Sequence, residues 1–197
     1  SKLWMIEVNS EQAVGQITVF DQFEKLGIKA DFKRLVVSST APQTNIDPKV
    51  FTVQELRALP IIDFRCESCQ IGGVEVGQLS FITNPHKNGI NIENIRLSTD
   101  EANLTAQAVW GVDELGEYST VSGKFDSDLI EDTLKRFDFS SSIRDSGLKS
   151  DFDLGWRGSI FQPQISSLNG RLKWKMSEGH IAEVSDKGAR IFSLFSL

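Results

Sequence analysis

The sequence predicts a mainly β protein in which a curled antiparallel sheet forms an elongated, groove-like meander with two or three short helices. Three observations predict this fold: most of the chain alternates apolar and polar residues with period two, the connections have turn-forming sequences, and helical periodicity is confined to short stretches. A one-sided sheet covers its apolar face with a second facing sheet, or it curls and leaves an apolar trough. The pattern leaves both alternatives open, and facing sheets are the commoner solution.

The first half of the chain contains six predicted strands of modest clarity. The first occupies residues 3–8, and weaker alternation predicts others at residues 15–20, 28–37, 61–66, 76–83 and 91–98. The alternation changes phase between Phe32 and Leu35. An extra residue in one strand has this effect, so we expect a β-bulge near Lys33 and Arg34.

The second half contains the clearest one-sided strands, at residues 104–110, 121–125, 148–156 and 168–176. In the last of these, Leu172 and Trp174 point to one face while Lys173 and Lys175 point to the other. The sequences GG (72–73), NPHKNG (84–89) and SEG (177–179) suit hairpins, so neighbouring strands are expected to be antiparallel.

Two short helices interrupt the strands. Residues 52–59 form one, which Pro60 ends, and residues 127–137 form the other, with Ser127 as its N-cap and an acidic first turn. The most polar stretch lies at residues 40–50. It divides the chain into N-terminal strands at 1–50, expected to continue from a missing upstream region, and a larger sheet region at 51–197.

The last ten residues, GARIFSLFSL, are unusually apolar for a chain end. Ile191, Leu194 and Phe195 share a helical face with Phe192 beside it, and no capping residue follows. We therefore expect a helix that is cut short and a sequence that is a piece of a longer protein.

Composition excludes several classes of function. With a net charge of -6 and no cluster of Lys and Arg, the chain lacks the basic surface that a nucleic-acid-binding protein uses. No P-loop, dinucleotide-binding fingerprint or nucleophile elbow is present. We expect neither catalysis nor a cofactor.

The two cysteines, Cys66 and Cys69, form the sequence CESC. A zinc site needs four ligands, and the two histidines, His86 and His180, are distant in sequence and lie in turn-like contexts. A redox motif of the thioredoxin type would open a helix, whereas a turn follows here. Two alternatives remain, structural thiols, which we favour, and a local disulfide.

Carboxylates cluster in two places without forming a convincing catalytic or metal site. Asp126, Asp128, Glu131 and Asp132 suit the N-terminus of the second helix, and they lack the glycine and final glutamate of an EF-hand loop. Asp151 and Asp153 lie two residues apart on the polar face of a strand, where nothing forms a cleft around them.

A series of short motifs carries a resemblance to a known family. In order they are LPIIDF (59–64), IGGVEVGQL (71–79), GINIENIRL (89–97), LTAQAVW (104–110), LGWRG (154–158), SLNGRL (167–172), EGHI (178–181) and GARIFSL (188–194). Their order and spacing over residues 50–197 resemble the C-terminal-proximal region of the AsmA-like family of Gram-negative envelope proteins, most closely its YhdP branch.

The resemblance implies a periplasmic body that is attached to the inner membrane by an anchor outside this sequence. It implies an apolar groove that carries phospholipid acyl chains between the inner and outer membranes, with no nucleic-acid partner. Residues 191–195 would then be a helix at a membrane or at the groove end. The alternative is a non-catalytic envelope scaffold with a closed β-sandwich core. The residues expected to form the groove floor are Leu104, Trp110, Phe125, Phe152, Leu154, Trp156, Leu172, Trp174 and Met176.

Overall fold

The computed structural model describes residues 3–21, 27–38, 50–137, 139, 142–177 and 179–181. Within them the chain forms mainly strands. The strands are β1 (Leu3–Asn9), β2 (Ala13–Phe20), β3 (Ile28–Val37), β4 (Ile62–Ile71), β5 (Val74–His86), β6 (Gly89–Ser98), β7 (Ala102–Asp113), β8 (Gly116–Ser127), β9 (Ile143–Arg144), β10 (Leu148–Arg157), β11 (Asn169–Met176) and β12 (His180–Ile181). The helices are α1 (Val53–Arg57) and α2 (Ile130–Arg136), and a 3-10 turn lies at Ile165–Ser167.

Ten of the strands form one open sheet in the order β1-β2-β3-β4-β5-β6-β7-β8-β10-β11. The two remaining strands, β9 and β12, form a separate ribbon. The mainly β prediction is confirmed, and an open sheet is consistent with the expected curled meander. Within the described residues no second sheet faces the ten strands, so the facing-sheet alternative is not observed there.

One strand pair differs from the expected antiparallel arrangement. β3 and β4 are parallel, whereas every other neighbouring pair in the large sheet is antiparallel. The expectation was wrong here because the chain between these strands, residues 38–61, is a long connection that contains α1 and not a hairpin turn. Parallel strands need such a crossover. Because β3 pairs with β4, strands β1 to β3 belong to the same sheet as the later strands.

The predicted bulge in β3 is present. Opposite β2, Val14 pairs with Arg34 and Gly15 pairs with Phe32, which leaves Lys33 as the extra residue. The backbones approach closely at this point, since a Cβ on Gly15 would collide with the carbonyl oxygen of Asp31. The bulge restores the apolar residues of β3 to one face on both sides of Lys33.

The two helices begin for different reasons. Thr52 and Glu55 form a capping box at the start of α1, in which the Glu55 backbone N–H donates to the Thr52 hydroxyl at 3.2 Å. The expectation that Ser127 caps α2 was wrong, because β8 continues to Ser127 and the helix begins only at Ile130. The Ser127 hydroxyl instead bonds the Thr133 hydroxyl, at 2.9 Å, and so ties the helix to the sheet.

Candidate functional site

Most apolar residues of the ten-stranded sheet lie on one of its two faces. Directly paired residues of neighbouring strands point to the same face, so the register can be followed from edge to edge. One line of partners crosses every strand, and we call it the apolar row. Its members are Val8, Gly15, Phe32, Cys66, Leu79, Leu97, Leu104, Phe125, Ser150 and Trp174.

A second line runs beside the apolar row, interrupted only by a register shift between β5 and β6. It consists of Ile6, Ile17, Ala30, Phe64 and Phe81, followed by Ile95, Ala106, Gly123, Phe152 and Leu172. With ~4.8 Å between strands, ten strands make this apolar face roughly 43 Å long. That length exceeds the ~30 Å hydrocarbon core of a bilayer, which holds two acyl chains end to end.

The structure places the nine predicted floor residues on this one face. Most of them are half-buried: Leu104, Phe125, Phe152, Leu154 and Met176. Leu172 and Trp174, on the edge strand β11, are 42% and 49% exposed. Trp110 and Trp156 differ from the others, because at 5% and 9% exposure they are covered by other parts of the chain.

A group of side chains that we call the tryptophan cap covers Trp110. The rings of Phe51 and Phe161 contact the indole edge-on, with centroids 5.1 Å and 5.7 Å from it. Leu56 of α1 is fully buried in the same cluster. The Trp110 Nε1–H donates to the Glu117 carboxylate at 3.0 Å, and the Phe51 backbone N–H donates to the same carboxylate. The tryptophan cap covers the apolar face near the end of β7 and the start of β8.

An ion pair fastens α2 at the opposite end of these strands, and we call it the Arg136 clamp. The Arg136 guanidinium donates to both carboxylate oxygens of Glu101, at 2.6 Å and 2.7 Å from Nη2. It also lies 3.8 Å from the Glu75 carboxylate. The Arg136 hydrogen bonds hold the pKa of Glu101 below its usual value, and the pKa of Arg136 is raised in turn. The clamp joins the helix to the starts of β5 and β7.

The opposite face of the sheet is polar, and its charges pair between strands. Lys124 lies 3.2 Å from Asp151, and Lys149 lies 2.8 Å from Asp126. These exposed pairs contribute little to stability but keep this face wet. Asp126 and Asp151, two of the clustered carboxylates that a catalytic site would need, are therefore engaged in ion pairs. In the part of the chain that the structure describes, no three His, Cys, Asp or Glu side chains are placed to hold a metal ion.

A trough of about 1190 Å³ crosses β1 to β7. Each strand contributes three consecutive residues, as in Arg65–Cys66–Glu67 and Arg96–Leu97–Ser98. The outer two of each three point to the polar face, and the next apolar residues along the strands are not part of the lining. The trough is therefore lined by the first seven members of the apolar row, from Val8 to Leu104, together with the residues that flank them.

Cys66 and Cys69 are joined by a disulfide, with their Cα atoms 5.9 Å apart. Both are 3% exposed and belong to a buried cluster with Val76. The favoured interpretation as free thiols does not match this arrangement. His86 accepts a hydrogen bond at Nδ1 from the Asn88 backbone N–H, 3.3 Å away, as expected of a turn residue. The backbone of His180 lies in β12.

The sequence pattern missed the part of the apolar face on β1 to β6. Val8, Phe64 and Leu79 fall within predicted strands but are not among the predicted floor residues. The signal was the same alternation, but register shifts between Cys66 and Cys69 and between Ile92 and Ile95 break its phase. The predicted terminal helix, Ile191, Phe192, Leu194 and Phe195, lies outside the described residues. Among those described, no helix is long and apolar enough to cross a membrane.

Comparison with known proteins identifies relatives of the chain. A family model described as "YhdP protein" matches residues 1–197. The intermembrane phospholipid transporter YhdP of Escherichia coli (strain K12) is 26% identical over 129 residues, which are 66% of this chain and 10% of that relative. The chain thus spans only about a tenth of the length of the curated relative it matches. No solved structure matches the chain.

Proposed function

The chain belongs to the YhdP protein family, and from this premise we propose that its apolar face is part of a hydrophobic groove that carries phospholipid acyl chains between the inner and outer membranes. The observation that carries the proposal is the apolar row, which crosses all ten strands of an open sheet. The name of the relative, an intermembrane phospholipid transporter, supports the same role.

The physical basis is the transfer of acyl chains between two apolar surroundings. Each buried CH₂ group is stabilised by ~0.8 kcal/mol relative to water, so an acyl chain on the apolar face avoids most of the cost of leaving a bilayer. Similar side chains recur from strand to strand. A chain that slides along the row therefore exchanges equivalent contacts, and the barrier to each step is small. No catalytic group and no cofactor is needed.

The surroundings of the apolar face suit this role. The tryptophan cap and the Arg136 clamp lie at the two ends of the central strands, and they would keep an acyl chain from leaving sideways. A head group would remain in water, because charged groups are costly to move into an apolar site. We place the chain in the periplasm, as part of a protein that an anchor outside this sequence attaches to the inner membrane.

Native mass spectrometry with organic extraction tests the proposal. The purified chain is expected to carry phospholipid. A Phe152→Asp, Trp174→Asp double variant is expected to lose the phospholipid. The two introduced carboxylates would lie beside the bound acyl chain, and a charged group is costly to place in an apolar site. The matched control is Asn103→Asp, Thr105→Asp, which adds the same two charges to exposed positions on the polar face of β7.

Circular dichroism first establishes that both variants are folded. Retention of phospholipid by the control and its loss from the Phe152 and Trp174 variant would support the groove. Equal loss from both variants would show that net charge, and not the apolar face, governs lipid capture. A wild-type chain without lipid would favour the scaffold alternative.

A further inference from the structure

The outer edge of β11 is open in the part of the chain that the structure describes. β11 pairs with β10 on one side, and no described residue pairs with it on the other. The chain leaves the large sheet after Met176, since β12 pairs with β9 in the separate ribbon. Residues 169–175 are all exposed. Such an edge presents backbone N–H and C=O groups that a further strand can bond.

The polar face of this edge strand carries Asn169 followed by three cations. Arg171, Lys173 and Lys175 occupy the alternate positions of β11 that point to the polar face. In the described part of the chain none of the three has an ion pair. Lysine on an edge strand is a common means of preventing unwanted strand pairing. Three cations at alternate positions also favour a partner strand that carries carboxylates at the matching positions.

The neighbouring strands show why the two lysines have no carboxylate partner, whereas Arg171 lies opposite Asp153 without an ion pair to it in the described part of the chain. Lys173 lies opposite Asp151 of β10, but Asp151 is paired with Lys124 on its other side, at 3.2 Å. Lys175 lies opposite Lys149, which is paired with Asp126 of β8 at 2.8 Å. Charges of opposite sign thus match between β8 and β10, which leaves Lys173 and Lys175 of β11 without an available carboxylate opposite them. A strand added beyond β11 would complete the pattern with carboxylates.

The apolar face of β11 indicates which residues the added strand needs at its other alternate positions. Leu172 and Trp174 project from the apolar face and are 42% and 49% exposed. A strand added here with apolar residues at alternate positions would extend the apolar row by one further member. A second copy of β11 would fit poorly, because antiparallel pairing about Lys173 would place cations directly opposite cations.

We propose that the edge of β11 is a strand-addition site for a β-strand that alternates apolar residues with aspartate or glutamate. The carboxylates pair with Arg171, Lys173 and Lys175, the apolar residues continue the apolar face, and backbone hydrogen bonds supply the common part of the affinity. This goes beyond lipid carriage, and its test measures strand binding with no lipid present.

The test uses two nine-residue peptides and the isotopically labelled chain. One peptide alternates valine with aspartate, and the other alternates valine with lysine. In an NMR titration the acidic peptide is expected to shift the backbone amides of β10 and β11 in a saturable manner and to bind at least about tenfold more tightly than the basic one. An acidic peptide with N-methyl groups on its bonding edge should not bind, because it lacks the donors that pair with β11.

Reversing the charges of β11 gives a second test of the proposed preference for an acidic strand. An Arg171→Glu, Lys173→Glu, Lys175→Glu variant is expected to prefer the basic peptide. The matched control, Lys33→Glu, Arg65→Glu, Arg96→Glu, reverses three exposed cations on the polar face of β3, β4 and β6 and should keep the acidic preference.

Equal binding of the two peptides, failure of the acidic peptide to bind, or shifts centred on β1 would overturn the proposal. So would an N-methylated peptide that binds as well as its parent, a result that needs no protein variant. An unchanged preference in the charge-reversed β11 variant would have the same meaning.

Discussion

Trp110 determines how the apolar face ends. Its ring lies between those of Phe51 and Phe161, and its Nε1–H donates to Glu117, which also receives the Phe51 backbone N–H. The Glu117 carboxylate therefore bonds both the indole of Trp110 and the backbone of Phe51, which is distant in sequence. A buried indole whose N–H is bonded has no cost of an unsatisfied donor. The cap is accordingly an ordered part of the sheet and not a loose covering.

Leu56 provides the test at this scale, because it is the fully buried aliphatic residue of the cap. Leu56→Ala is expected to lower the free energy of unfolding by about 2–5 kcal/mol, through lost burial and the cavity left behind. Urea denaturation measures the change. Leu115→Ala is the control, since Leu115 is 81% exposed and its removal should alter stability by less than about 0.5 kcal/mol. Similar losses in both variants would contradict the burial of α1 against the sheet.

Sequence reasoning at the residue scale identified faces but not burial. The alternation in β7 and β10 predicted correctly that Trp110 and Trp156 point to the same side. It gave no indication that these two would be covered while Trp174 would be exposed. The cover of Trp110 comes from Phe51 and Phe161, which are far from it in sequence, and period-two patterns contain no information on such long-range contacts.

The Arg136 clamp is the main electrostatic contact between a helix and the sheet. The bidentate geometry of Arg136 with Glu101 fixes the end of α2 against the start of β7. The pKa of Glu101 is lowered because the guanidinium stabilises its charged form. A carboxyl group whose pKa is lower in the folded state stabilises the fold above its unfolded pKa, and that stabilisation disappears as the pH falls through the folded pKa.

The clamp should therefore contribute to acid sensitivity. Stability is expected to fall as the pH drops below the ordinary pKa of a glutamate, ~4.3, and Glu101→Gln should reduce that dependence. Thermal unfolding followed from pH 7 to pH 3 would measure it. Glu114→Gln serves as the control, because Glu114 is exposed and lies in the β7–β8 turn. An unchanged pH profile in the Glu101 variant would show that the clamp does not stabilise α2.

Most strands could be predicted from sequence, and the exceptions have identifiable causes. β7, β8, β10 and β11 contain no register shift relative to one another, so their alternation was plain. The parallel pairing of β3 and β4 could not be predicted, because the connection of residues 38–61 carries neither a hairpin signal nor a complete helical pattern. The start of α2 was misplaced because Ser127, a good N-cap residue, remained in β8.

At the scale of the molecule, the decisive feature is that the sheet is open and one-sided. Binary pattern showed that one face is apolar but left open what covers it. The ten strands form a single sheet, the two short helices lie near strand ends, and the middle of the apolar row, apart from the buried Cys66, remains partly exposed. An isolated soluble domain rarely leaves so large an apolar surface without a ligand or partner.

Site-specific photocrosslinking tests most directly whether lipid occupies this face. Leu104 and Thr105 are neighbours in β7 whose side chains leave on opposite faces, Leu104 in the apolar row and Thr105 on the polar face. The photoreactive residue p-benzoylphenylalanine would replace each in turn, and the chain would be irradiated with vesicles of labelled phosphatidylethanolamine and phosphatidylglycerol. We expect labelled lipid on the chain substituted at position 104 and little or none at position 105. Equal labelling at both positions, or none at position 104, would contradict the proposal that the apolar row is a lipid path.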